Sequence, residues 1–321
     1  MNTIKVAPLL ALMVIVICTG CSKQNPKEKI VGISGITFEN YPKVDGSTSA
    51  SVLNTMVACK LLGIKYEWMP PGAVSEWTLH PVMGAVSEQH KDLFWQRVKS
   101  SRTHGAFMNL IDKNADIIIT HRTISPDEKA HADAAGVKLI ETPIASDAFV
   151  FVVNKTNPVK SLTVSAVQKI YTGEITNWSQ VGGNNAAIKV FTRPRNSGSE
   201  EVMRALVMND QAPADFPESW IGGMAMVFGE IRGDEDAICY TFNNYKNLPA
   251  RVPDSEVPKI AINGIFPDDG TVKNGTYPFI SKVHVAIRAD LDHNSMAYKL
   301  YEWLQSDDAK ATLAESGFIP K

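Results

Sequence analysis

The sequence of 321 residues has no excess of charge of either sign. Its 32 Lys and Arg residues nearly balance 34 Asp and Glu residues, and the formal net charge is −2. Proteins that bind nucleic acid are typically basic over a whole face, so this balance argues against a nucleic-acid partner. An anion site in this chain has to be built locally. The length predicts about two domains.

Cysteines are few, and the chain has only Cys18, Cys21, Cys59 and Cys239. The first two lie in the leader. Cys59 lies in an apolar helical pattern, and Cys239 lies in the strand-like run ICYTF. These two could pair in an oxidising compartment. Because they lie far apart in the sequence and in no disulfide-framework spacing, we expect two buried free thiols.

Common catalytic and metal-binding motifs are missing as well. The sequence contains no Ser-x-x-Lys, no Gly-x-Ser-x-Gly and no His-Glu-x-x-His. Ser197 has no base at a recognisable spacing. The histidines His80, His90, His104 and His121 match no zinc pattern and have no accompanying Cys pair. We therefore expect neither an enzyme nor a bound metal or cofactor.

No apolar run is long enough for a membrane span, which needs about 20 residues. The longest, VAPLLALMVIVI, follows Lys5 and precedes CTGC, so residues 1–20 are predicted to be a signal peptide. Thr19-Gly20-Cys21 resembles a bacterial lipobox, which implies that Cys21 is acylated and that residues 21–29 tether a lipid-anchored body to the cell envelope. The alternative is an ordinary cleaved signal with a chance cysteine.

Strand-like and helix-like patterns alternate along the rest of the chain. Strands are predicted at 115–120, 137–153 (as the two runs VKLIETP and DAFVFVVN), 188–193, 238–242, 259–262 and 283–288. Helices are predicted at 49–62, after the capping box at 125–128, at 163–173, at 199–208 and at the C-terminal end. This alternation predicts an α/β fold with largely parallel sheets.

Three polar turns precede helices and share one composition. They are DGSTSA (45–50), SSRTHGA (100–106) and RNSGSE (195–200). The first amide groups of a helix lack internal partners and carry partial positive charge, while Ser and Thr add donors and Gly opens the backbone. Capping alone explains a single such turn. Three of them, with Arg193 and Arg195 beside the last, predict a convergent anion site.

These turns, together with ADIIITHRTIS, SAVQKIYTGEITNWSQVGG, RPRNSGSEEV and YPFISKVHVAIR, resemble the phosphate-binding proteins of ABC transporters. The resemblance runs from about residue 41 to the C-terminal end. It implies a two-lobe type II periplasmic binding-protein fold with hinge strands near 147–153 and 280–287. Lobe one is residues 30–147 plus 280–321, lobe two is residues 148–279, and the anion lies between them.

The resemblance also implies which residues bind the anion. In this resemblance, lobe one contributes hydroxyl and amide donors. Lobe two contributes hydroxyls, backbone amides and the guanidinium fork of Arg193. In the middle turn the register points at Arg102, while Thr103 is the chemically natural hydroxyl. The implied ligand-binding set is Thr48, Ser49, Thr103, His121, Arg193, Ser197, Gly198 and Ser199.

Two positions depart from the family pattern. Many members have Asp or Ser where this chain has His121, and that carboxylate accepts the proton of hydrogen phosphate. Arg195 stands where an acidic residue is frequent. The hypothesis is a more positive site that discriminates less sharply against sulfate or arsenate. The alternatives are that His121 is a surface histidine, or that Arg122 points inward instead.

The expected function is therefore that of an extracytoplasmic lipoprotein that captures inorganic phosphate for the permease of an ABC transporter. It would be anchored on the periplasmic or outer side of a bacterial membrane. Two alternatives stay open: a binding protein for another oxyanion, such as sulfate or arsenate, and an anion-sensing lipoprotein without a transporter.

Overall fold

The computed structural model describes residues 32–69, 78–209, 211–216, 221–222, 224, 226–248 and 253–321. The predicted signal peptide at 1–20, the lipidation site Cys21 and the whole tether at 21–29 therefore lie outside the described residues. Within the described ranges, no helix is long and apolar enough to cross a membrane. The same ranges contain no cluster of three or more His, Cys, Asp and Glu side chains suited to a metal ion.

The strands are short except for two. They are β1 Val44–Gly46, β2 Tyr66–Met69, β3 Thr78–Pro81, β4 Ile117–Thr120, β5 Leu139–Val153, β6 Ser161–Leu162, β7 Lys189–Val190, β8 Ala237–Phe242, β9 Ala261–Ile262, β10 Ile280–Arg288 and β11 Ile319–Pro320. The helices are α1 Ser51–Leu62, α2 Glu88–Arg97, α3 Arg102–Ile111, α4 Pro126–Ala134, α5 Val164–Tyr171, α6 Gly198–Val202, α7 Met226–Gly233, α8 Asn243–Asn247, α9 Asp269–Lys273, α10 Met296–Trp303 and α11 Lys310–Glu315.

Local sequence explains several of these elements. Strand β4 is IIIT, a β-branched run that is buried at every position. Helix α4 begins with proline, and the Ser125 amide donates to Glu128 Oε2 at 2.9 Å, as the capping-box pattern predicts. Helix α5 ends before Gly173, whose φ of 79° is the left-handed conformation that favours glycine.

The main sheet has the strand order β1-β4-β10-β5-β8-β7, with β11 paired to β5. The pairs β1–β4 and β7–β8 are parallel, whereas every pair that involves β5 or β10 is antiparallel. The α/β class is confirmed, but the prediction of largely parallel sheets is wrong. Strand β10 returns alongside β5 after the whole middle of the chain, so no single helical crossover sets its direction.

Strand β5 is one continuous strand of 15 residues rather than two runs. Its first part, 139–148, pairs with β10, and its last part, 149–153, pairs with β8. Pro143 does not interrupt it because the register between β5 and β10 shifts there, where Val283 pairs with Ala145 and His284 with Pro143. Such a bulge is a place where a strand tolerates proline.

Two large apolar cores lie on either side of the point at which β5 changes its partner from β10 to β8. The terminal core combines buried residues from 41–145 with others from 283–318. The middle core is drawn from residues 148–279. Cys59 belongs to the first and Cys239 to the second, and both are buried free thiols, as the sequence predicts.

Four predicted elements differ clearly in extent. The strand predicted at 188–193 is regular only at Lys189–Val190, and the chain leaves the sheet before Pro194. The strand predicted at 259–262 is regular only at Ala261–Ile262. The helix predicted at 199–208 is α6 followed by a π-helical turn, Met203–Met208. The C-terminal helix is divided into α10 and α11, with a 3₁₀ turn at Asp307–Ala309 between them.

Candidate functional site

The three polar turns meet around one cavity of about 300 Å³. Its lining consists of Ser47, Thr48, Ser49, Ser101, Arg102, Thr103, His104, Gly105, Arg193, Pro194, Arg195, Asn196, Ser197, Gly198, Ser199, Gly222, Met224 and Phe242. Of the eight predicted ligand-binding residues, His121 alone is outside this lining. Three arginines lie in the lining, and none of the described lining residues is acidic.

The first turn, DGSTSA, follows strand β1 and leads through a 3₁₀ turn into α1. A Cβ atom on Gly46 would lie 2.5 Å from the carbonyl oxygen of Ile119, so this position requires glycine. The Ser47 amide donates to the same carbonyl at 3.0 Å. The turn is therefore held against β4, and it presents Thr48 and Ser49 to the cavity.

The buried carboxylate of Asp45 connects the first turn to the second. Its Oδ1 accepts from the amides of Gly46 at 2.7 Å and Ser101 at 2.8 Å, and its Oδ2 accepts from Asn109 Nδ2 at 2.7 Å. Asn109 lies on α3. The Asp45 side chain therefore positions both the first turn, which leads into α1, and the beginning of α3. This role was not predicted from the sequence, because its partners lie far away along the chain.

The third turn approaches the second directly. Ser197 caps α6 by accepting from the Glu200 amide at 3.2 Å, which leaves its own hydroxyl hydrogen free to donate. A Cβ atom on Gly198 would lie only 2.2 Å from Thr103 Oγ1. The sequence suggested Gly198 for backbone access to an anion. The structure adds that glycine is needed for the contact between the beginnings of α3 and α6.

Arg193 is the charged donor of the third turn, and only 7% of it is exposed. Its amide donates to Tyr240 Oη at 3.0 Å, whereas its Nε and Nη1 are buried without a hydrogen-bond partner in the described part of the chain. Burial holds the pKa of this guanidinium below its ordinary value, although arginine stays charged at neutral pH. Buried charges in proteins are normally paired, so this arrangement favours an anionic ligand.

Ser199 adds a third unsatisfied buried atom to the same cavity. The residue is 3% exposed, and its Oγ has no hydrogen-bond partner among the residues described. Each unsatisfied buried polar group costs about 1–3 kcal/mol, and more when it is charged. A small oxyanion in the cavity would accept from these groups and from the amides at the helix starts.

His121 lies behind the lining rather than in it. Its Nδ1 is 2.8 Å from Ser49 Oγ, its Nε2 is 3.3 Å from Asp147 Oδ2, and its ring centroid is 4.0 Å from that of Phe242. It is buried, so the alternative of a surface histidine is wrong. Its contact with the cavity runs through Ser49.

Arg122 does not point into the cavity either. Two of its guanidinium nitrogens donate to the Glu128 carboxylate, each at 2.7 Å, in a bidentate pair. The alternative in which Arg122 replaces His121 at the anion is therefore wrong. Arg102 and Thr103, between which the sequence did not decide, both line the cavity, and so does the exposed Arg195.

Several lining residues were not predicted. Ser47, Ser101, His104 and Asn196 lie within or beside the three turns, so the turn pattern itself was the available signal. Phe242 is different, because it ends strand β8 and no local pattern connects it with the turns.

The sequence matches the family model for a PBP superfamily domain over residues 72–308. Among curated relatives, Protein SphX of Synechococcus elongatus is 26% identical over 259 residues, which is 76% of this chain and 75% of that protein. The Phosphate-binding protein PstS of Bacillus subtilis is 25% identical over 204 residues, which is 63% of this chain and 64%, or just under two thirds, of that protein.

Solved structures show the same fold. A putative phosphate ABC transporter substrate-binding protein with bound phosphate from Clostridium perfringens has a TM-score of 0.64 at 22% identity, covering 87% of this chain and 98% of that one. An ABC-type phosphate transport receptor from Vibrio cholerae has a TM-score of 0.58 at 22% identity, covering 89% and 100%. The predicted type II periplasmic binding-protein fold is confirmed.

Proposed function

The chain belongs to the PBP superfamily, and from this premise we propose that it captures inorganic phosphate for an ABC transporter. The observation that carries the proposal is the pair of donors on buried Arg193 that have no partner among the described residues. They lie beside the equally unsatisfied Ser199, in a cavity whose described lining contains no acidic residue. The names of the relatives support phosphate as the anion and an ABC transporter as the system.

The number of available donors is sufficient for tight binding. Hydrogen bonds to a charged group contribute roughly 1.5–3 kcal/mol each. Six or more of them contribute at least about 9 kcal/mol, which exceeds the roughly 8 kcal/mol of micromolar affinity before the costs of closure and desolvation. The proposed contacts come from Thr48, Ser49, Thr103, Arg193, Ser197, Gly198 and Ser199, while His121 acts through Ser49.

We further propose that the chain has two lobes that close on the anion, residues 30–147 plus 280–321 and residues 148–279. The terminal and middle cores support this division, and so does the passage of β5 from one to the other. Strands β5 and β10 would then form the hinge. The contact between Thr103 and Gly198 supports a closed arrangement.

The protein is proposed to act outside the cytoplasm as a lipoprotein, with residues 1–20 removed, Cys21 acylated and residues 21–29 as tether. A membrane permease would be its protein partner, and the proposed role includes no catalysis. The names of the relatives describe binding and transport, which supports that reading. Phosphate uptake by cells with and without the chain separates a transport role from an anion-sensing role.

Titration calorimetry of the purified full chain with phosphate, arsenate and sulfate tests the binding function. We expect phosphate to bind with micromolar or tighter affinity. If none of the three anions binds, the proposed function is wrong. If sulfate or arsenate binds more tightly than phosphate, the alternative oxyanion function replaces it.

A further inference from the structure

We propose that His121, backed by Asp147, determines anion specificity by making Ser49 a hydrogen-bond acceptor towards the ligand. The site then selects an oxyanion that carries a proton over one that has none. This inference rests on the proposed function and adds to it a specificity-determining residue. It also reverses the hypothesis, made from the sequence, that His121 weakens discrimination against sulfate.

Asp147, His121 and Ser49 form a buried series of hydrogen bonds that ends at the cavity. Asp147 is 1% exposed, His121 is 2% exposed and Ser49 is 5% exposed. Asp147 Oδ2 faces His121 Nε2 at 3.3 Å, and His121 Nδ1 faces Ser49 Oγ at 2.8 Å. Of these three residues, Ser49 alone lines the cavity. The hydrogen-bonded route from either of the other two to the ligand therefore runs through the Ser49 hydroxyl, while the ring of Phe242, which also lines the cavity, makes an apolar contact with His121.

The carboxylate determines which ring nitrogen carries hydrogen. Asp147 Oδ1 already accepts from the amides of Ala148 at 2.8 Å and Asn244 at 3.0 Å. Its Oδ2 accepts best from an Nε2–H, so the neutral ring has its lone pair on Nδ1. The Ser49 hydroxyl then donates to Nδ1. Its oxygen lone pairs are left for Ser47 Oγ, at 3.1 Å, and for the cavity.

An acceptor at this place separates two classes of tetrahedral anion. Hydrogen phosphate and hydrogen arsenate carry an O–H that can donate to Ser49 Oγ. Sulfate at neutral pH has no proton, so its oxygen would meet the Ser49 lone pairs without a hydrogen bond. Most other groups around the cavity are guanidinium, amide and hydroxyl donors, which hold both anions similarly.

A hydrogen on Nδ1 instead of Nε2 would reverse the direction of these hydrogen bonds. Nδ1–H would donate to Ser49, and the Ser49 hydroxyl would donate to the anion. The His121 ring contacts Asp147 on β5 and the rings of Phe242 and Phe318. Burial holds the pKa of His284, on β10, below its ordinary value.

Calorimetry of the full chain at pH 8 with phosphate and with sulfate tests this inference. His121→Phe keeps an aromatic ring between Phe242 and Phe318 but removes the acceptor for the Ser49 hydroxyl. Asp147→Asn presents an amide N–H to Nε2 and so moves the ring hydrogen to Nδ1. In both variants we expect the ratio of phosphate to sulfate affinity to fall at least tenfold.

His131→Phe is the matched control, because this partly exposed histidine pairs with Asp112 away from the cavity. Its affinity ratio should equal that of the wild type. A ratio is used because general damage to the site weakens both anions together.

The outcomes separate the inference from the proposed function. If the wild type binds neither anion, the proposed function fails. If the wild type binds phosphate but does not prefer it to sulfate, or if both variants keep the ratio within twofold, the inference alone fails. Should the buried variants not fold, Ser49→Ala decides: phosphate binding must weaken while sulfate binding stays equal or becomes tighter.

Discussion

Replacing Arg193 by methionine should weaken phosphate binding and, at the same time, stabilise the empty protein. Methionine keeps most of the side-chain volume and the backbone amide that donates to Tyr240. It removes the charge and both unsatisfied nitrogens, Nε and Nη1. The two effects have opposite signs because Nε and Nη1 of Arg193 have a hydrogen-bond partner in the phosphate-bound protein and none in the phosphate-free protein.

The magnitudes follow from those two nitrogens. Two hydrogen bonds to a charged group contribute about 3–6 kcal/mol together, which is roughly two to four orders of magnitude in Kd. In the empty protein, removal of two unsatisfied buried donors relieves about 1–3 kcal/mol each. Because methionine packs less completely than the arginine stem, we expect a net increase of about 1–3 kcal/mol in the free energy of unfolding.

Calorimetry with phosphate measures the first effect, and urea unfolding in phosphate-free buffer measures the second. Arg195→Met is the control, because Arg195 lines the same cavity but is exposed. This variant should lose less than tenfold in affinity for phosphate, and its free energy of unfolding should stay within about 0.5 kcal/mol of the wild-type value. The reasoning is refuted if Arg193→Met binds phosphate within threefold of wild type, or if its empty form is less stable than wild type.

Three further outcomes are expected. Gly198→Ala should weaken phosphate binding at least tenfold because its Cβ would lie 2.2 Å from Thr103 Oγ1. Adding Thr103→Ala to the same chain should recover part of the lost affinity. Strict additivity of the two affinity changes would contradict this contact. Asp45→Asn should lower the free energy of unfolding by about 1–3 kcal/mol, measured in urea, since one of its three accepted hydrogen bonds is replaced by a donor facing a donor. Burial raises the pKa of the Cys59 and Cys239 thiols to about 12 each. Peptide mapping after treatment with a thiol reagent at pH 8 should therefore find both cysteines unlabelled until the protein is unfolded. Labelling of either cysteine in the native protein would show that its core opens.

The sequence predicted the local part of the site well. The residues of DGSTSA, SSRTHGA and RNSGSE that were expected to face an anion do line the cavity. Each turn is encoded within a few residues by its glycine, its hydroxyls and the helix that follows. That the turns face one another was implied only by the resemblance to a family, because nothing in a turn specifies which distant turn it will meet.

The parts that were missed depend on contacts between distant segments. The direction of His121 is determined by Asp147 on another strand and by the ring of Phe242, and the role of Asp45 depends on Asn109. Strand β5 was divided at Pro143, since proline usually ends a strand. The bulge opposite Val283 and His284, which allows the strand to continue, belongs to the pairing with β10 and cannot be read from β5 alone.

The discontinuous terminal core has a consequence for the order of events during biosynthesis. Its buried residues come from 41–145 and from 283–318, whereas the middle core is drawn from the single stretch 148–279. A chain that emerges from its N-terminal end first can therefore complete the middle core early. Strand β4 is left without its partner strand β10, and α1 without α11, until the C-terminal part is synthesised. Until those partners are synthesised, the apolar faces of α1 and β4 stay available to a chaperone, which suits the export across a membrane that we propose.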